Sequence, residues 1–255
     1  MRALAALTIA GFIDFARGRV FATVFAAGVA LVIAALIFQE LSASAGQRVL
    51  GDIGLAFISM VVAMLAAIVP LSTVAKEIDS RQVHQLLARP ISRATYVLAR
   101  FLAAAGLVLA SNVALGGLLC GLLLLTGGGS MGPLAWFAAV FASLEGLIMV
   151  SLAILFGVNS SVPMSAVFLT LVFVVGRLSY AVDAAIIAKL DGNAEQLVLA
   201  AARLLPAFGR FDLTAALHGV PLDAGELART AVYGIVYAAG ILLLGTWRLH
   251  RRDLI

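Results

Sequence analysis

Six runs of this chain are too long and too apolar to be solvated by water. The hydrocarbon of a bilayer is about 30 Å thick, so a helix needs about 20 apolar residues to cross it. Residues 20–38, 53–75, 96–125, 134–157, 164–182 and 230–247 meet that requirement. Only 12% of the 255 residues are charged, too few to clothe a soluble domain of this size. The expected fold class is therefore all-α: one polytopic membrane domain over residues 1–255 with six transmembrane helices.

Lys and Arg set the orientation of such a bundle. With the N-terminus inside, the inner segments hold eleven of the seventeen basic residues: Arg2, Arg17, Arg19, Lys76, Arg81, Arg89, Arg93, Arg100, Arg248, Arg251 and Arg252. The outer segments hold five: Arg48, Lys189, Arg203, Arg210 and Arg229. Both termini are expected in the cytoplasm and the chain in the inner (plasma) membrane. Residues 1–19 begin like a signal peptide, but Asp14, Arg17 and Arg19 interrupt the pattern. They read as a helix at the membrane surface.

The basic residues are dispersed at span ends, so the net charge of +4 is no nucleic-acid signature. A single cysteine, Cys120, excludes an intrachain disulfide and a cysteine-based metal cluster, and reads as a packing residue. His84, His218 and His250 have no metal-ligand spacing. No G-x-S-x-G or H-E-x-x-H pattern occurs, so neither catalytic nor metal residues are assigned, and an intramembrane enzyme lacks its signature. The glycine-rich 126–132 is an outer turn without the Lys-Ser/Thr of a phosphate loop. Residues 159–163 form an inner turn. Residues 183–229 form a long outer loop, expected as short helices on or dipping into the outer leaflet, with a lid or vestibule as the functional form of that reading.

Charge concentrates in residues 76–101, between the second and third runs. Asp79 or Ser80 can cap a short helix there. Val83, Leu86 and Leu87 fall on one of its faces, and Pro90 ends it. His84 is a solvated or contact residue. A charged helix with one apolar stripe, held at the inner face, suits docking onto a soluble partner.

Two charges lie inside spans. Glu145 is near the middle of the fourth and Arg177 in the outer half of the fifth. A charge at a helix centre costs roughly 2.5–3.5 kcal/mol on insertion scales, so such residues face a cavity or a partner. Two readings stay open: a polar contact that fixes helix packing, or the lining of a substrate path that includes Asn112. A difference in depth is expected to hinder pairing of Glu145 with Arg177, which can snorkel outward. Asn112, Ser143 and Ser151 read as interhelical hydrogen-bonding groups, and Gly117 with Gly121 as a GxxxG pair that can serve a dimer face.

Residues 86–93, Leu-Leu-Ala-Arg-Pro-Ile-Ser-Arg, follow Lys76-Glu77 and precede Phe101 at the head of the third run. In that order they resemble the cytoplasmic loop of ABC transporter type-2 permeases. The likeness is strongest to the branch containing the permease of nitrous-oxide-reductase maturation. Arg81-Gln82 stand where that family has Gly-Thr, and Ala99-Arg100 where it has Gly-Lys. The ends of the chain, Phe15 to Phe21 and Trp247 to Leu254, resemble the family's basic first-span start and its Arg-Arg-Asp-Leu ending.

The resemblance implies a transport subunit that pairs with a second permease, a homodimer being expected, and docks on a separate cytoplasmic ATPase through a coupling helix. ATP and Mg would reside in that ATPase, leaving this chain without a cofactor and without enzymatic activity of its own. Glu77, Asp79, Arg81, Val83, His84, Leu86, Leu87, Arg89 and Arg93 would form the ATPase contact. Leu86 and Leu87 would fill its groove, and Glu77, Arg81 and Arg89 would set register. Membrane lipid and a periplasmic accessory protein are the other implied partners, and nucleic acid is not one. The alternative reading is a secondary, ion-coupled transporter with Glu145 as a midplane site.

Overall fold

The computed structural model describes residues 2–42, 45–79, 92–181 and 205–251. Among these the chain is helical throughout, with no strand. The helices are α1 (Arg2–Arg17), α2 (Arg19–Leu41), α3 (Gly46–Asp79), α4 (Arg93–Leu125), α5 (Met131–Phe141), α6 (Ser143–Asn159), α7 (Val162–Ala181), a single turn α8 (Thr214–Leu217) and α9 (Ala224–Arg251). A 3₁₀ turn, Phe208–Phe211, precedes α8.

Five stretches are long and apolar enough to cross a membrane: Arg19–Leu41, Gly46–Ser72, Arg93–Leu125, Met131–Asn159 and Ala224–Arg248. The fifth expected crossing, 164–182, falls on α7, whose apolar stretch Val162–Leu178 is shorter. Helices α2, α3 and α9 overrun their apolar runs at both ends. Once nucleated, a helix continues into polar flanks because each added residue brings a backbone bond. Thus α3 passes through Pro70 and past Ala75. Asp79, one of the two expected caps, is helical, and Ser80, the other, lies outside the described residues. Helix α4 is capped by Ser92, whose Oγ accepts from the Thr95 N–H at 3.1 Å.

Small residues let the spans approach closely. A Cβ at Gly54 would stand 2.5 Å from Leu119 of α4, and one at Gly28 would stand 2.8 Å from Val61 of α3. At Gly146 and Gly51 a Cβ would overlap Val108 and Leu217 respectively. The GxxxG glycines do none of this: Gly117 and Gly121 have nothing within 4 Å of an added Cβ and face away from the chain's own bundle. Helix α1 lies on the first half of α4. There the Arg100 guanidinium stands 5.9 Å from the Phe15 ring and 5.8 Å from the Tyr96 ring. At the opposite end of the bundle Gln47 donates to the Thr126 carbonyl at 3.0 Å.

The fourth expected span is two helices. Its ladder runs regularly to Ala142 N–H···O=C Ala138 at 3.0 Å. Then Glu145 N–H turns back to Ala142 O at 3.1 Å, and α6 restarts from that same carbonyl. No glycine or proline marks the break in the sequence Phe-Ala-Ser-Leu-Glu.

Candidate functional site

The break is mended from a neighbouring helix. In a continuous helix Ser143 N–H would bond Ala139 C=O. Here the fully buried Asn112 of α4 reaches into the gap. With its amide turned so that both ends are matched, its oxygen accepts from Ser143 N at 3.3 Å and from Ser143 Oγ at 2.9 Å, and its nitrogen donates to Ala139 O at 3.3 Å. A backbone group without a partner is costly in hydrocarbon, so a side chain that supplies one makes the interruption tolerable. Asn112 and Ser143 are thus interhelical partners, as expected. Ser151 is not: its hydroxyl donates to Ile148 O of its own helix at 2.7 Å.

One turn into α6 stands Glu145, its side chain 5% exposed. It is fourteen residues from either end of Met131–Asn159, and Ser59 is thirteen from either end of Gly46–Ser72. Both therefore occupy the middle of a crossing. Arg177 of α7 meets them there. Its Nη2 is 3.2 Å from Glu145 Oε2 and also bonds Ser59 Oγ, while its Nη1 is 3.2 Å from Asp212 Oδ2. The guanidinium lies 5.8 Å from the Phe173 ring of its own helix. The expected depth mismatch is therefore overturned. The long Arg177 side chain does not snorkel outward but turns inward, because two carboxylates and a hydroxyl are waiting there.

Asp212 belongs to the loop, which enters the bundle. Phe208 and Phe211 are fully buried. Phe208 lies 5.8 Å from Phe173, and Phe211 stacks on Tyr233 of α9 at 6.2 Å. The Tyr233 hydroxyl accepts from Ala207 N–H at 3.1 Å. An added Cβ on Gly176 would stand 2.5 Å from the Pro206 carbonyl and 2.7 Å from the Phe208 ring, so the glycine makes room for the segment. Nearer the bundle's end His218 Nε2 is 3.0 Å from both carboxylate oxygens of Asp52 on α3. Of that expected loop, residues 205–217 include the short helices Phe208–Phe211 and Thr214–Leu217 and pack into the bundle. The rest of that loop, 182–204, lies outside the described residues.

Glu145, Arg177, Ser59, Asp212 and Thr214 line a cavity of about 70 Å³ beside the break. Glu145 Oε1 is buried and has no hydrogen-bond partner. Asp212 and Leu213 form one wall of this cavity and also one wall of a wider depression of about 550 Å³ at the loop end, bordered by Arg210, Asp223, Glu226 and Arg229.

Of the intramembrane residues singled out in the sequence, Glu145 and Arg177 are brought together, and Asn112 braces the break next to them. Ser59 and Asp212 complete the cluster and went unnoticed. A serine at the midpoint of an apolar run was the available signal for the first. Of the expected docking residues, Arg81, Val83, His84, Leu86, Leu87 and Arg89 lie outside the described residues. Glu77 and Asp79 are described as backbone of α3 only, and Arg93 opens α4 half-buried. Among the described residues no group of three or more His, Cys, Asp or Glu could hold a metal. No protein-family model matches the chain, and no curated protein matches it.

Proposed function

We propose that the chain is the membrane-spanning subunit of an ATP-driven transporter of the ABC type-2 class, acting as an exporter. It couples hydrolysis in a separate cytoplasmic ATPase to movement of a substrate or to work on a periplasmic partner. The observation that carries this reading is the motif of residues 86–93 and its position in the chain. In sequence it follows a helix that outruns its apolar stretch to Asp79, and its last two residues cap and open α4. Force applied there by a partner would reach the mid-bundle cluster directly. Helix α3 carries both the junction with the motif and Ser59, and α4 carries both Arg93 and Asn112. In this reading α7 crosses too and makes the count six, both termini are cytoplasmic, and two permeases pair in the inner membrane.

The double substitution Leu86→Asp with Leu87→Asp tests it. The variant is expected to insert normally and to lose at least tenfold of the ATPase that copurifies with the wild-type chain. Undiminished copurification would remove the docking assignment. Transport that persists with no ATPase present would favour the ion-coupled alternative.

A further inference from the structure

The cluster at the break is under-supplied with positive charge and with donors. Arg177 offers one charge to two carboxylates, Glu145 and Asp212. The deeper of the two keeps Oε1 unpartnered although it is buried. A buried oxygen without a partner is unfavourable, and intramembrane carboxylates of this kind face a partner or a cavity. The space beside it suits an ion. At about 70 Å³ it has room for a small cation with a water or two, whereas drug-sized ligands need about 300–1,000 Å³. The available ligands are hard oxygens, namely the two carboxylates with the hydroxyls of Ser59 and Thr214. Such ligands select alkali and alkaline-earth cations over softer metals. With both carboxylates ionised one negative charge is left over, which a monovalent ion matches.

We propose that this cavity is a binding site for one monovalent alkali cation of sodium size, held against Glu145 Oε1. The ion reaches it from the loop end through the wider depression, whose charged border of Arg210, Asp212, Asp223, Glu226 and Arg229 is net acidic. Asp212 and Leu213 stand between the two spaces as the dividing wall. The assignment rests on the mid-bundle geometry and is independent of the docking motif.

Thermal unfolding of the purified full-length chain in detergent tests this, with sodium chloride exchanged for choline chloride at constant ionic strength. Sodium is expected to raise the midpoint saturably, by about 3–6 °C at ten times the half-saturating concentration. Glu145→Gln is expected to abolish the response. Asp212→Asn is expected to raise the half-saturating concentration about tenfold. Should the Glu145 variant not fold, equilibrium binding of radioactive sodium decides, with one ion expected per wild-type chain and weakened binding in Asp212→Asn. An equal response to choline, a sodium titration unchanged by both substitutions, or no bound sodium would overturn the site. Copurification of the ATPase is expected to be the same with and without sodium, so failure here and failure of the docking assignment are separate results.

Discussion

Asn112 sits where two backbone groups have lost their helical partners, and the cost of removing it follows from that position. In Asn112→Ala the Ser143 N–H and the Ala139 carbonyl would face hydrocarbon-packed neighbours with no substitute partner. A buried group left unsatisfied costs about 1–3 kcal/mol, and this substitution strands one donor and one acceptor. Chemical unfolding in detergent is expected to show a loss of about 2–6 kcal/mol. Ser143→Ala, which deletes only the hydroxyl bond, is expected to lose less. Equal losses in the two variants would show that the amide does not bridge the break. Asn112 and Ser143 were legible in the sequence as polar groups that must find each other inside an apolar bundle. The break they mend was not, because Ala142 is as good a helix former as any residue. The interruption arises from tertiary packing, with α5 pressed against α4 where a Cβ on Gly116 would stand 2.7 Å from Ala139.

At the level of elements, the inserted loop and α7 fit because of one missing methyl group. Gly176 lies under the Pro206 carbonyl, and that carbonyl cannot yield as a flexible side chain would. Gly176→Ala is therefore expected to lift residues 205–214 off the bundle while leaving α7 a helix, since Ala favours helix over Gly by about 1 kcal/mol. A cysteine at Thr214, in a chain with Cys120→Ser, is expected to react with a water-soluble maleimide at least several-fold faster when Gly176→Ala is present. An unchanged rate would mean that the loop tolerates the added carbon where it is. That residues 183–229 hold short helices was legible in the sequence. There was no sign there that Asp212 would end against Arg177. Ionic partners 35 residues apart on a loop and a span have no shared periodicity to betray them. Glu145 and Arg177 were each conspicuous as charges in apolar runs. What could not be read was their relative height, since counting residues from span ends ignores the reach of an arginine side chain.

For the whole molecule, the number of crossings turns on α7. Between Asp14 and Asp223 the chain passes through α2, α3, α4, the α5–α6 pair and α7. If α7 crosses, these two residues lie on opposite sides of the membrane; if it does not, they lie on the same side. Cysteines placed singly at Asp14 and Asp223, with Cys120→Ser, are expected to differ. The second should be labelled by an impermeant reagent in intact cells, and the first only after the membrane is opened. Labelling of both from one side would reduce the count to five and place the inserted loop with the N-terminus. The membrane class itself was plain from the apolar runs, because no other solvent admits them.

The inserted aspartate has two occupations. Its carboxylate balances the guanidinium, and its backbone walls off the inner chamber from the outer basin. Swinging that barrier aside would leave Arg177 in a one-to-one pair with Glu145 at mid-depth. Joining the two spaces is thus coupled to breaking that contact, because the residue that parts them is also the arginine's second partner.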